Sequence, residues 1–383
     1  LKDIKEKKFI YQKNLKIIKK EINHILKTRL RSNFPVACSL SGGVDSSGIV
    51  SFINKKLNKK IPCFSVKAKE KNFNEKENIL KVVNENKLNH SFIKIKKDNN
   101  QNLKELKLFI KKTSSILPTT TWFVFNNICK NVKKKHKVIL SGVGADEIFG
   151  GYWIHQLHYL HSIRKRSFFK KKYHEWESFS KPLIRSKELK DLKNYKKNDK
   201  IFLEFSALNK YFKKEEVISS IRYERNNNLD HFKQALVRDL MRMSLPSQIY
   251  PLDNVSMYNG LENRSPYLSG DLLKIIFQVP TKYFIQNGYN KYILRDILKN
   301  IIPKQIVNDR NKIGFFMGID YIFSTKSKVF KNIIFSNSII NKLINKNEVL
   351  KLILKENKNN QESHFLFGLL NVVLFLKEFD KQY

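Results

Sequence analysis

Apolar residues recur at helical spacing between residues 4 and 31, at Ile4, Leu15, Ile18, Ile22, Ile25 and Leu26, which predicts one or two helices there. Pro35 ends that pattern. VACSL (residues 36–40) is a short apolar run and reads as a buried strand. VDSSGIVSFINKKL follows as a helix, IPCFSV (61–66) as a second strand, and residues 75–87 as a helix. SFIKI (91–95) is a third strand, helices broken at Pro118 fill 102–134, and KVILSG (137–142) is a fourth strand. Strands that alternate with helices predict an α/β fold: a doubly wound parallel sheet with right-handed crossovers. After Tyr152 the strand signals fade, and the chain to Tyr383 reads as mostly helical with charged loops. The most apolar stretch, FLFGLLNVVLFL (365–376), is too short for a membrane span and is interrupted by Asn371, so it reads as a buried C-terminal helix.

Composition sharpens this picture at two points. There are 74 basic against 34 acidic residues, a formal net charge of +40. A polyanion partner such as RNA is one reading. However, Lys, Asn and Ile are used heavily along the whole chain. Even the densest runs, Lys133 to Lys137 and RKRSFFKKKY (164–173), read as solvated surface, and nucleic acid is not the expected partner. The three cysteines, Cys38, Cys63 and Cys129, form no CxxC or other metal spacing and suit a reduced, cytoplasmic protein. No signal peptide is visible and no membrane association is expected. His155, His158 and His161 share a helical spacing but lack carboxylate or thiol partners, so a zinc site is not expected. His90 has no assigned chemistry.

SLSGGVDSSGIV (39–50) carries the chemistry. It is a strand–loop–helix turn at the carboxyl end of a parallel strand, where open α/β sheets bind ligands. Gly42 and Gly43 allow close backbone approach. The helix start attracts an anion, and Ser41, Ser46 and Ser47 add hydroxyls. The loop is neither GxGxxG nor a Walker loop, for its charged residue is Asp45. A bare carboxylate repels phosphate oxygens unless Mg²⁺ lies between them, so Asp45 predicts a metal-bridged polyphosphate. A second constellation, LSGVGADEIFGGY (140–152), sets Asp146 and Glu147 among four glycines after the fourth strand. If the first and fourth strands are neighbours, Asp45 and Asp146 can share one Mg²⁺.

The SGGxDS loop resembles the pyrophosphate loop of the N-type ATP pyrophosphatases, an adenine nucleotide α-hydrolase-like fold whose members cleave ATP between the α and β phosphates. SGxGADExFGGY is similar to the signature of the asparagine synthetase synthetase domain. LPSQIYPLDNVSMYNGLENRSPYL (245–268), KYILR (291–295) and RNKIGF (310–315) continue the series in the same order, so the resemblance runs from about residue 25 to the C-terminus. It implies an ATP-dependent carbon–nitrogen ligase that adenylates aspartate or a related carboxylic acid, releases pyrophosphate and forms an amide with glutamine-derived ammonia. Its cofactors would be ATP and Mg²⁺. Leu40, Ser41, Gly42, Gly43, Asp45 and Ser46 match the ATP and pyrophosphate loop. Val66 matches an adenine-side contact, Ser141 and Gly142 further ATP contacts, and Asp146 the second Mg²⁺ carboxylate. Lys312 matches a lysine near the reacting phosphate. Asp253, Glu262 and Arg264 stand in the family's places and, with Val143, are the expected acceptor pocket.

The resemblance divides the chain into N-terminal helices (1–34) leading in from a glutaminase domain absent here, an α/β core (35–153) and a helical part completing the synthetase domain (154–383). Leu1 is not Met, so an upstream segment is expected, with a separate glutaminase subunit as the alternative. A homodimer is compatible with the family. Departures bear on the acceptor. The residue after SG in the second motif is usually Glu, or Tyr in β-lactam synthetases, and here it is Val143. TSSILPTT (113–120) lacks an acidic residue before its proline, and Ser269 replaces the Asp usual after PYL. Valine cannot take a proton, so this chain is expected to make asparagine poorly, or to use a larger acid packing on Val143, unless Glu147 takes the proton. The alternatives are a tRNA-modifying enzyme of the same loop class, a β-lactam-type synthetase, and a member that binds nucleotide without synthesis.

Overall fold

A computed structural model describes residues 10–66, 75–195, 208–213, 228–311 and 317–379. Its centre is a five-stranded sheet in the order β3-β2-β1-β4-β5. The strands are β1 (Val36–Ser39), β2 (Cys63–Val66), β3 (His90–Ile93), β4 (Val138–Leu140) and β5 (Glu262–Arg264). All four pairings are parallel. The register sets Val36 against Val138 and Cys38 against Leu140, so the carboxyl ends of β1 and β4 lie side by side.

The apolar periodicities became the expected helices. In α1 (Tyr11–Arg29), Leu15, Ile18, Ile22, Ile25 and Leu26 are buried, whereas Ile4 lies outside the described residues. α2 (Val44–Leu57) follows β1, and α3 (Lys76–Asn86) follows β2. α4 (Asn99–Thr113) and α5 (Thr120–Val132) flank Pro118, and the Asp98 carboxylate accepts from the Gln101 N–H at 3.0 Å to start α4. Two buried clusters line the sheet, one including α1 and α2 and the other α4, α5 and the C-terminal helix Asn360–Phe379. Asn371 is fully buried in that helix, where it accepts from the Leu117 N–H at 3.1 Å and donates to the Phe367 carbonyl at 2.8 Å. The polar break in the apolar run is therefore a satisfied hydrogen-bonding group.

β5 departs from the expectation that strands end near Tyr152. It has three residues, Glu-Asn-Arg, at the sheet edge, and shows no apolar signal. Its local role is clear from its partners. Arg264 pairs with Glu262 through Nε at 2.7 Å and donates from Nη1 to the carbonyls of Arg29 and Arg31 at 2.6 and 2.7 Å. Arg29 and Arg31 lie at and just beyond the end of α1, where helix carbonyls lose their own donors, so this arginine ties α1 to the sheet edge.

Candidate active site

Two loops meet at the carboxyl ends of β1 and β4. Gly43 precedes α2 in an extended conformation, which opens the first turn of that helix toward the cleft. The Ser41 N–H donates to Ser46 Oγ at 3.0 Å, closing the loop upon itself. The loops touch at Gly142, where a Cβ would stand 3.0 Å from the Asp45 Cβ and 3.1 Å from the Ser46 nitrogen. β5 fixes the second loop: the Ser141 N–H donates to the Arg264 carbonyl at 3.0 Å, and Ser141 Oγ lies 3.1 Å from Ser265 Oγ. α6 (Ala145–Phe149) then carries Asp146 and Glu147.

The carboxylates of Asp45 and Asp146 converge on one cation, the Lys291 ammonium, 2.6 Å from Asp45 Oδ2 and 2.8 Å from Asp146 Oδ1. Lys291 is buried and has a φ of 55°, a left-handed backbone that a non-glycine residue adopts at a cost. Burial works against its charge, but Asp146 and Asp45 overcome that penalty and hold the ammonium pKa above the usual lysine value. Gly151 makes room for the pair, since a Cβ there would overlap Asp146 Oδ1 and the Lys291 Cε.

Two cavities adjoin this ion triad. The smaller, about 220 Å³, is walled by the Ser41–Asp45 loop, Glu75, Asp146, Lys291, Arg295 and Arg310. Arg295 is anchored through Nη1 to the Val307 carbonyl at 2.6 Å, and the Arg310 guanidinium lies 4.1 Å from the Tyr289 ring centroid. The larger, about 530 Å³, runs over the ends of β1 and β2 to the turn after β4 and the helix Ser244–Tyr258. Ser41, Asp45, Glu75 and Asp146 line both. Burial, reinforced by the charge of Asp45, pushes the Glu75 carboxyl up to about 8.

Of the expected nucleotide residues, Leu40, Ser41, Asp45, Ser46, Val66, Ser141, Gly142 and Asp146 line the larger cavity, and Gly42 and Gly43 the smaller. Val143 also lines the larger cavity. The other three residues expected at the acceptor lie elsewhere. Asp253 is exposed on the helix Ser244–Tyr258 and lines neither cavity. Glu262 and Arg264 lie in β5, where the guanidinium holds the end of α1, and line neither cavity. Glu147 lines neither cavity, being buried where it accepts from Tyr152 Oη at 2.6 Å, Ser244 Oγ at 2.7 Å and Gln248 Nε2 at 3.1 Å. Lys312 lies outside the described residues.

Sequence reasoning missed Lys291, Arg295 and Glu75 as site residues. KYILR was noted as a motif, but composition could not single out two cations among 74. The three thiols are buried and free, and burial raises all of them, Cys63 and Cys129 to about 12. His155 Nε2 lies 2.8 Å from Asp239 Oδ2, His161 packs edge-on against His231, and the His158 pKa is lowered by burial to about 3. His90 Nε2 lies 2.9 Å from Ser65 Oγ. No described helix is long and apolar enough to cross a membrane.

A parallel sheet in this order, with a glycine loop after β1 and an acidic loop after β4, is an ATP-pyrophosphatase-type synthetase fold. The chain belongs to the asparagine synthase family, whose model matches residues 18–376. It is 27% identical over 367 residues to asparagine synthetase [glutamine-hydrolyzing] 1 of Bacillus subtilis, covering 89% of this chain and 55% of that protein. A second Bacillus subtilis relative, asparagine synthetase [glutamine-hydrolyzing] 3, is 26% identical over 297 residues, covering 73% of this chain and 44% of its own. A putative asparagine synthetase [glutamine-hydrolyzing] 2 of Methanocaldococcus jannaschii is 33% identical over 142 residues, 36% of this chain and 26% of that protein. The chain thus spans about half the length of the first of these relatives.

Proposed function

We propose that the chain is the synthetase part of an ATP-dependent amide-forming ligase acting in a reducing cytoplasm. The observation that carries this reading is the convergence of Asp45 and Asp146 on one cation beside a phosphate-sized, arginine-lined cavity. The smaller cavity suits the β and γ phosphates: the backbone of the Ser41–Asp45 loop, Lys291, Arg295 and Arg310 all surround it. The larger cavity suits adenosine at Leu40 and Val66 and the acceptor acid beside Val143. A carboxylate oxygen of the acid attacks the α-phosphorus, and the α–β phosphoanhydride bond breaks with its electron pair leaving on pyrophosphate. The acyl-adenylate then yields an amide when ammonia displaces AMP. Negative charge grows at the phosphates during the first step, and preorganised cations placed there lower the barrier.

Mg²⁺ fits the same two carboxylates, since their oxygens already share one cation and hard oxygen donors are what Mg²⁺ takes. Asp45 and Asp146 would hold it, and it would supply Lewis-acid neutralisation of phosphate charge. Ammonia would come from a glutaminase domain or subunit outside this chain, and the assembly with it could be dimeric. ATP–pyrophosphate exchange with a panel of carboxylic acids tests the reading, and acid-dependent exchange is the expected result. Exchange that needs tRNA and no small acid would replace it with the second reading, tRNA modification, which the net charge of +40 favours.

A further inference from the structure

Part of the wall of the smaller cavity comes from the turn at residues 286–291. That turn holds three left-handed backbones, at Asn287 (φ 50°), Gly288 (φ 74°) and Lys291 (φ 55°). Such a backbone costs a non-glycine residue energy and persists where surrounding contacts impose it. Those contacts come from residues 172–180. Lys172 pairs with Glu175 Oε2 at 2.7 Å, and the same oxygen accepts from the Asn287 N–H at 2.9 Å. Ser180 Oγ donates to the Gly288 carbonyl at 3.1 Å. Gly288 is the point of close approach, since a Cβ there would stand 2.6 Å from the Phe179 Cβ.

Besides Lys291, this turn supplies a seat for Arg310. Arg310 Nε donates to the Asn287 carbonyl at 3.0 Å. The guanidinium carbon lies 4.1 Å from the Tyr289 ring centroid and 4.5 Å from that of Phe179. The Tyr289 hydroxyl donates to the Asn308 carbonyl at 3.2 Å, which holds its ring in place, and the same ring lies 5.5 Å from the guanidinium carbon of Arg295. Phe179 is on the π-helical turn Trp176–Ser180 and is 42% exposed. A phenyl ring so exposed contributes little to a core, and here it lies against a cation.

Aromatic faces suit this task for a definite reason. A ring attracts a guanidinium through its π face and so fixes the plane of the cation without occupying an in-plane N–H. A carboxylate partner would instead consume the donors that a phosphate needs for a two-pronged contact. The Asn287 carbonyl takes Nε, and the two Nη nitrogens are the fork that a phosphate engages. We infer that Phe179 and Tyr289 are positioning residues that hold Arg310 in the plane needed to grip the leaving pyrophosphate. The inference rests on the adenylation reading above and adds to it the groups that order one of its cations.

The test uses the full chain and Mg–pyrophosphate. Phe179→Leu keeps apolar bulk but removes the ring face, whereas Phe179→Tyr keeps the face. In Phe179→Leu the KM for pyrophosphate in ATP–pyrophosphate exchange should rise about fivefold, the scale of ordering one long side chain. The KM for the acid, chosen from the panel above, should stay within about twofold, and Phe179→Tyr should restore the wild-type value for pyrophosphate. Calorimetric titration of Mg–pyrophosphate into ATP-free protein should show the same loss of affinity without turnover. Arg310→Met should weaken that binding at least tenfold, and should make Phe179→Leu silent when the two are combined. Wild-type pyrophosphate affinity in Phe179→Leu, or an undiminished effect of Phe179→Leu beside Arg310→Met, would overturn the inference. So would an equal rise in the KM for the acid, which marks general damage, or a wild type that binds no Mg–pyrophosphate. If the wild type supports exchange with no acid, yet Phe179→Leu still weakens calorimetric binding, adenylation falls and the ring seat stands.

Discussion

The two cavities share the wall formed by Ser41, Asp45, Glu75 and Asp146, and differ in what surrounds it. The smaller is made of backbone and charge: a glycine loop, Lys291, Arg295 and Arg310. Its glycines are there for space, since side chains at Gly42 or Gly151 would collide with Asn78, Glu75 or Asp146. The larger is walled mainly by side chains, among them Val143, Trp122 and Leu252. Phosphate is the same in every reaction of such an enzyme, whereas the acceptor is what distinguishes one enzyme from another. On the proposed reading, the contrast would put the phosphate chemistry on the backbone and the choice of acid on side chains.

The largest effects should come from the ion triad, where the two cavities join. Asp45→Asn should lower ATP–pyrophosphate exchange by about a hundredfold or more, the scale of losing one preorganised electrostatic group, with a melting temperature within a few degrees of wild type. Lys291→Met should cost a similar factor, but for metal it predicts the opposite sign. Removing the ammonium leaves Asp45 and Asp146 facing each other, so Mn²⁺ alone should bind the ATP-free variant more tightly than wild type. Electron paramagnetic resonance of free Mn²⁺ would measure this. Full exchange activity in Asp45→Asn, or unchanged Mn²⁺ affinity in Lys291→Met, would remove the triad from the centre of the site.

Val143→Glu tests the other side of the comparison. A general base at a proton-transfer step is worth about a hundredfold or more, and Val143 faces the cavity with none. With ammonia supplied directly, amide formation from aspartate should rise at least tenfold in the variant. A wild type that makes asparagine efficiently, unchanged or slowed by the substitution, would show that Val143 is no handicap and that the two cavities are matched after all.

The same contrast governs what could be read from the sequence. The glycine loop, the acidic loop and the β1–β4 adjacency were legible because sterics leave few residues that can serve there: Gly142 must let Asp45 approach, and strand burial demands runs such as VACSL. Lys291 and Arg295 were not legible as site residues because any of many lysines and arginines has the same local signature. Their place depends on contacts to Asp45, 246 residues away, and to Val307. β5 escaped because an edge strand of three polar residues has no alternation to detect. Glu262 and Arg264 stood in motif positions, and what the structure shows of them is their hold on α1.

A gentler change probes the space around the triad. Gly151→Ala adds one methyl group against Asp146 and Lys291. Overpacking of this kind typically costs about 1–3 kcal/mol, and here the strain falls on the ion pair. Thermal unfolding should show a lower melting temperature, and exchange should fall roughly tenfold if the strain moves Asp146 by a fraction of an ångström. An unaltered KM for ATP together with unaltered stability would mean that the pair relaxes freely.

The smallest catalytic effect is expected at Glu147, and it decides whether the acceptor side contains a hidden base. The residue is 1% exposed, and burial, followed by the neighbouring charge of Asp146, raises its carboxyl pKa even though Tyr152 and Ser244 donate to it. Those donors, with Gln248, fix the wall of the larger cavity. Glu147→Gln keeps the shape and one carbonyl acceptor but removes the charge. As a structural anchor, it should lose about 1–3 kcal/mol of stability through weakened hydrogen bonds, while exchange and ammonia-dependent amide formation stay within a few-fold of wild type. As a base, it would leave exchange intact and slow amide formation by about a hundredfold. Measuring both steps on one preparation separates these outcomes, because adenylation needs no proton acceptor on this wall and the attack of ammonia does. Selective loss of the second step would transfer to Glu147 the part that Val143 cannot play, and would make the acceptor side less inert than its lining suggests.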